Sequence, residues 1–165
     1  MSPLWRLCLS GKLAEVRAAL ARGQDVNIKD EGNQTGLMWA VDNKHNSVVR
    51  LLLEQPTTDL NRTDLNGETA LHHAAVNGNV EAVQLLLADP RLTTANLQNK
   101  NGLTPAMCAV MYKHVNALHE LVAHPNVNLG IGWGGKSLEE YTRWAFHQYF
   151  IEISYWTLLI QGVEG

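Results

Sequence analysis

A stretch of this chain repeats at intervals of about 33 residues, and no single copy holds enough structure to stand alone. The clearest copy runs from Asp64 to Gln98. Asn66-Gly67 predicts a tight turn, because glycine accepts the positive φ that other residues resist. Thr69 opens a short helical pattern with Leu71, Ala74 and Ala75 on one face, and Asn77-Gly78 closes it. Val80, Val83, Leu86 and Leu87 make the apolar stripe of a second helix. Helices this short are marginal in water, so each copy needs a neighbour to pack against.

Neighbours are present on both sides. Gly67 and Thr69 recur as Gly102 and Thr104, and upstream as Asn33 and Thr35. The runs Leu51-Leu52-Leu53 and Leu85-Leu86-Leu87 lie 34 residues apart, with Leu121-Val122 one period on. Thr104-Pro105-Ala106-Met107, Thr69-Ala70-Leu71-His72 and Thr35-Gly36-Leu37-Met38 each open a helix in a T-P-L-H-like way. Period and helix start together resemble the ankyrin repeat. The resemblance extends from about Ser2 to Leu129, with a degenerate continuation to Ile160. It implies an all-α ankyrin-repeat solenoid of stacked helix-turn-helix units joined by β-hairpin-like loops. The 165 residues then form a single domain, with approximate repeats at 2–29, 30–63, 64–98, 99–129 and, degenerate, 130–162.

The first repeat lacks its leading hairpin. Ser2-Pro3-Leu4-Trp5 stands in place of T-P-L-H, and Asp25-Val26-Asn27 matches the family's D-V-N. Arg6, Lys12, Glu15, Arg17 and Arg22 give this end the polar surface that a terminal repeat needs. Asn33 takes a turn-glycine position, and Lys44-His45 stands where the family favours Gly-His. Pro56, Pro90 and Pro125 follow second helices, which they cannot extend.

A net charge of −3 and scattered Lys and Arg argue against nucleic acid or an anionic membrane as partner. Cys8 and Cys108 are far apart, at apolar helical positions, and predict two buried free thiols in a reducing, cytoplasmic or nuclear compartment. The N-terminus lacks the long apolar core of a secretion signal, and the run from Phe150 to Ile160 is too short to span a membrane.

Gly130 to Ser137 satisfies G-x-x-x-x-G-K-[ST], a phosphate-cradling motif. That loop needs a strand before it and a metal-holding acid elsewhere, yet no Asp follows Asp89. Gly135 and Ser137 also fall 33 residues after Gly102 and Thr104, where a fifth hairpin is due. His72 occupies the structural histidine position of the T-P-L-H-like segment. His73 is expected on the inner surface in a packing or binding role, with no acid or cysteine at metal-ligand spacing. Asp25, Asp59 and Asp64 read as turn residues. No catalytic set, metal site or cofactor is expected.

By resemblance, the function is non-catalytic protein–protein interaction through a concave surface of inner helices and hairpin tips. At the hairpins this assigns Glu31, Gln34, Leu65, Asn66, Glu68, Lys100, Asn101 and Leu103. On the first helices it assigns Trp39, Asp42, Asn43, His73, Val76, Asn77, Met111 and Tyr112. Trp, Met and Tyr are anchor types that carry interface energy. Eight of the eleven aromatics lie between Trp133 and Trp156, unlike a polar cap. This suggests an alternative, a self-associating scaffold protein that forms a homodimer through Trp133, Trp144, Phe146, Tyr149, Phe150 and Trp156. A nucleotide binder built on Gly130–Ser137 is the remote alternative.

Overall fold

The computed structural model describes residues 2–140. Eight helices lie wholly within them: α1 (Leu4–Leu9), α2 (Leu13–Ala21), α3 (Gly36–Asp42), α4 (Asn46–Leu53), α5 (Ala70–Val76), α6 (Val80–Leu87), α7 (Pro105–Met111) and α8 (Val115–Ala123). Each odd-numbered helix pairs with the next in sequence, and the pairs stack. Helices α1, α3, α5 and α7 form one row, and α2, α4, α6 and α8 the other. This is the all-α solenoid that the repeat pattern predicts.

Local chemistry explains each helix start. Thr35, Thr69 and Thr104 accept hydrogen bonds on Oγ1 from the amides of Met38, His72 and Met107, as good N-caps do. Pro105 occupies the first turn of α7, where its missing N–H costs nothing. Pro3 begins α1 without a side-chain cap.

The core is made where the rows meet. Ala40, Ala74, Ala75 and Ala109 are buried, and their small side chains allow the inner helices close approach. Leu51, Leu52, Leu86, Leu87, Leu121 and Val122 close the core from the outer row. Cys8 and Cys108 are buried free thiols, and burial pushes both up to about 12. Arg6, Lys12, Glu15, Arg17 and Arg22 are all exposed.

Three asparagines bind each loop to the next. Asn27 donates to Thr57 O and accepts from Asp59 N. Asn61 does the same with Arg91 O and Thr93 N, and Asn96 with Asn126 O and Asn128 N. Arg91 adds bonds to the Leu53 and Gln55 carbonyls at the end of α4, which satisfies acceptors that the helix leaves open.

Residues 130–137 form a hairpin. Strands β1 (Gly132–Trp133) and β2 (Lys136–Ser137) pair antiparallel across Gly134 and Gly135, whose φ values are +59° and +81°. Two consecutive positive φ values mark a type I′ turn, which suits a two-residue hairpin. Ser137 and Glu140 then cap each other's amides at a helix start. No strand occurs in residues 126–131. The motif that resembles a phosphate loop therefore makes a repeat hairpin here. Of the aromatic C-terminal assignments, Trp144, Phe146, Tyr149, Phe150 and Trp156 lie outside the described residues, and Trp133 is placed in β1 by its backbone.

Candidate functional interaction surface

Three hairpins project at one edge of the stack, each built on an acidic or amide residue. Asp30, Asp64 and Asn99 accept on Oδ1 from amides two and four residues ahead. The left-handed positions are Asn33, Gly67 and Gly102. Neighbouring hairpins are tied by Leu65 N to Gly32 O (3.1 Å) and Lys100 N to Asn66 O (2.9 Å). They stand as one edge rather than three separate loops.

At this edge Leu65 is 53% exposed, and Glu31, Asn66, Lys100 and Asn101 are also exposed. Gln34 and Glu68 are half-buried, and Glu68 accepts from Asn99 Nδ2 at 2.9 Å. Leu103 corrects the sequence reading. It is only 6% exposed and belongs to the core, so its side chain is not a hairpin-tip contact. An apolar residue at this register turns inward, where Glu68 and Gln34 stay at the surface edge.

At the C-terminal ends of the inner helices, Tyr112 is 55% and Met111 44% exposed. Asn43 is exposed, while Val76 and Asn77 are half-buried. Trp39 is half-buried and fixed, with its indole N–H donating to Asp30 Oδ2 at 2.9 Å and its ring 6.5 Å from that of Trp5. Trp5 and Asp30 were not singled out from sequence. The signal was the repeat register, since Asp30 precedes Trp39 by nine residues just as Asp64 precedes His73.

Of the packing and binding roles expected for His73, its position fits packing. It is 6% exposed and lies between carboxylates rather than on an open surface. Its Nδ1–H donates to Asp42 Oδ1 at 2.9 Å, and Asn77 Nδ2 donates to the same oxygen at 2.7 Å. Its Nε2 faces Asp64 Oδ2 at 3.5 Å. That is too long for a good hydrogen bond but well within the carboxylate's field. Burial alone would lower the pKa of His73, but Asp42 and Asp64 outweigh it and raise it to about 9. Burial likewise works to raise the pKa of Asp64. His73 and the amides of Glu68 and Asn66 overcome it and hold the carboxyl below its ordinary value.

His72 behaves oppositely. Its Nδ1 accepts from Thr69 and its Nε2–H donates to Leu103 O at 3.0 Å, which fixes a neutral ring. Burial first, with the charge on His73 adding to it, depresses its pKa to about 4. Among the described residues, no helix is long and apolar enough to cross a membrane.

Comparison with known proteins agrees with this architecture. The family described as "Ankyrin repeats (3 copies)" matches residues 4–94 and again 57–131. The chain is 42% identical over 88 residues to a probable E3 ubiquitin-protein ligase, XBOS33, of Oryza sativa subsp. japonica, covering 53% of this chain and 17% of that protein. It is 35% identical over 108 residues to BTB/POZ domain-containing protein 1 of Schizosaccharomyces pombe, covering 64% of this chain and 8% of that one. It is 34% identical over 86 residues to the human transient receptor potential cation channel subfamily A member 1, covering 52% and 8%. The chain thus spans less than a fifth of each of these relatives. What they share with it is the stacked repeat, and this chain belongs to the ankyrin-repeat family.

Proposed function

We propose that this chain is a non-catalytic binding module that holds a protein segment along the face formed by its hairpin edge and the ends of its inner helices. Ankyrin repeats generally mediate protein–protein interaction, and the relatives carry them beside very different further activities. The observation that carries the reading is the exposure of Leu65 at a hairpin tip and of Met111 and Tyr112 at the C-terminal end of α7, large apolar side chains left open to solvent. Hot spots of interfaces are made of such anchors within a polar rim. Asn43 at the end of α3 and Asn66, Lys100 and Asn101 at the hairpin tips are exposed polar groups that suit such a rim.

The test is to select binding peptides from a random library on the intact protein and map each by amide chemical-shift perturbation. Shifts centred on Leu65, Met111 and Tyr112 are expected. Shifts confined to α4 and α6, on the opposite row, would overturn the assignment.

A further inference from the structure

We propose that Asp64, Glu68 and His73 form a divalent-metal site of the zinc class at the base of the hairpin leading into α5. One ligand atom from each of the three lies within 4.8 Å of the others. Two of the three residues are buried, and the His73 side chain is 92% removed from solvent. Its Nε2 is a buried polar atom with no hydrogen-bond partner. Such an atom is costly unless something satisfies it.

Each ligand atom is left over after structural bonds are made. Asp64 spends Oδ1 on the amides of Asn66 and Glu68, and turns Oδ2 toward His73. Glu68 gives Oε1 to Asn99, which leaves its other oxygen. His73 gives Nδ1–H to Asp42, the arrangement by which a carboxylate orients a metal-bound imidazole and leaves Nε2 for the ion. Asn77 in turn holds Asp42. The 3.5 Å between Nε2 and Oδ2 is close to the edge of a tetrahedron with bonds of about 2.0–2.1 Å, roughly 3.4 Å. Glu68 is half-buried, and its ligand atom lies within the same 4.8 Å span. One nitrogen and two carboxylate oxygens suit Zn²⁺ or Co²⁺, with water in the fourth position. The ion takes the place of any Nε2 proton, which leaves to solvent.

The test is titration of EDTA-treated protein with Zn²⁺ by calorimetry, with Co²⁺ absorption as a second probe. One equivalent of tight binding is expected, together with a shift of the His73 imidazole resonances. The double variant Asp64→Asn/Glu68→Gln should bind at least about tenfold more weakly, and Asp42→Asn about 10–100-fold more weakly. Asparagine is compatible with the hairpin, since Asn99 makes the same turn one repeat on. Wild type that takes up no Zn²⁺, or resonance shifts confined to the surface residues His119 and His124, would refute the site. So would a double variant that binds as tightly as wild type.

Discussion

The imidazole of His114 packs on Gly78 of the preceding helix pair, with Nε2 donating to Val76 O at 2.9 Å. A Cβ at Gly78 would lie 2.5 Å from the ring. Gly78 also has φ +60°. The same fit joins His45 to Gly11, where Nε2 reaches Leu9 O at 3.2 Å. Between these two junctions Lys44 takes the glycine position, and the residue that follows on the next pair is the shorter Asn79, which reaches Val41 O at 3.1 Å. Glycine below goes with histidine above, and a side chain below goes with asparagine.

Gly78→Ala should therefore destabilise the protein by about 2–4 kcal/mol, the sum of a left-handed backbone penalty and overpacking. In a His114→Ala background the same substitution should lose the packing part and cost about 1–2 kcal/mol. Urea midpoints of the four proteins in the cycle measure this. A Gly78→Ala midpoint equal to wild type would show that the junction is looser than described.

Lys44 has φ +56° without being glycine or asparagine. Lys44→Gly should stabilise by roughly 0.5–1 kcal/mol, because relief of the left-handed strain exceeds the extra entropy that glycine gives the unfolded chain. The readout is again the urea midpoint, which should rise with an unchanged slope. A lower midpoint contradicts the strain.

His72 makes stability depend on pH in a defined window. Its pKa is about 4 folded and 6.5 unfolded, so between these values the unfolded chain binds more protons. The contribution is fully present above pH 6.5 and is lost as pH falls toward 4, amounting to roughly 3 kcal/mol. His73 and Asp64 are the charged neighbours of the ring. Over most of the window His73 stays protonated in both states and does not enter. In metal-free protein, stability from pH 7 to 4.5 should fall steeply in wild type and much less in His72→Gln. Parallel curves would remove His72 as the cause.

Tyr112→Ala should cost about 1–3 kcal/mol of affinity for a selected peptide while leaving the melting temperature nearly unchanged. Trp39→Ala is a poorer probe, because Trp39 also holds Asp30 and packs beside Trp5. Tyr112→Ala that binds normally would move the interface away from the end of α7.

Much of the fold was legible because its signals act within a few residues. Thr69 caps an amide three positions on, Asp64 folds a turn over four, and Gly67 meets a positive φ in place. Repeated at one period, such signals lead to stacked helix pairs, since each pair has an apolar face that only a neighbour can cover.

The candidate surface was less legible because its contacts join residues a full period apart, and the proposed metal site because a folded hairpin and a residue of the preceding repeat meet at His73. Asp64 reads from sequence as a turn residue, and so it is, but its second oxygen meets His73 once the hairpin folds back over α5. Asp42 meets His73 from 31 residues away, and Val76 meets His114 from 38. Leu103 stands among hairpin residues in sequence yet packs into the core. Repeat register tells which positions are equivalent. Stacking sets which side chains from successive copies touch, and that depends on the size and polarity of both partners together.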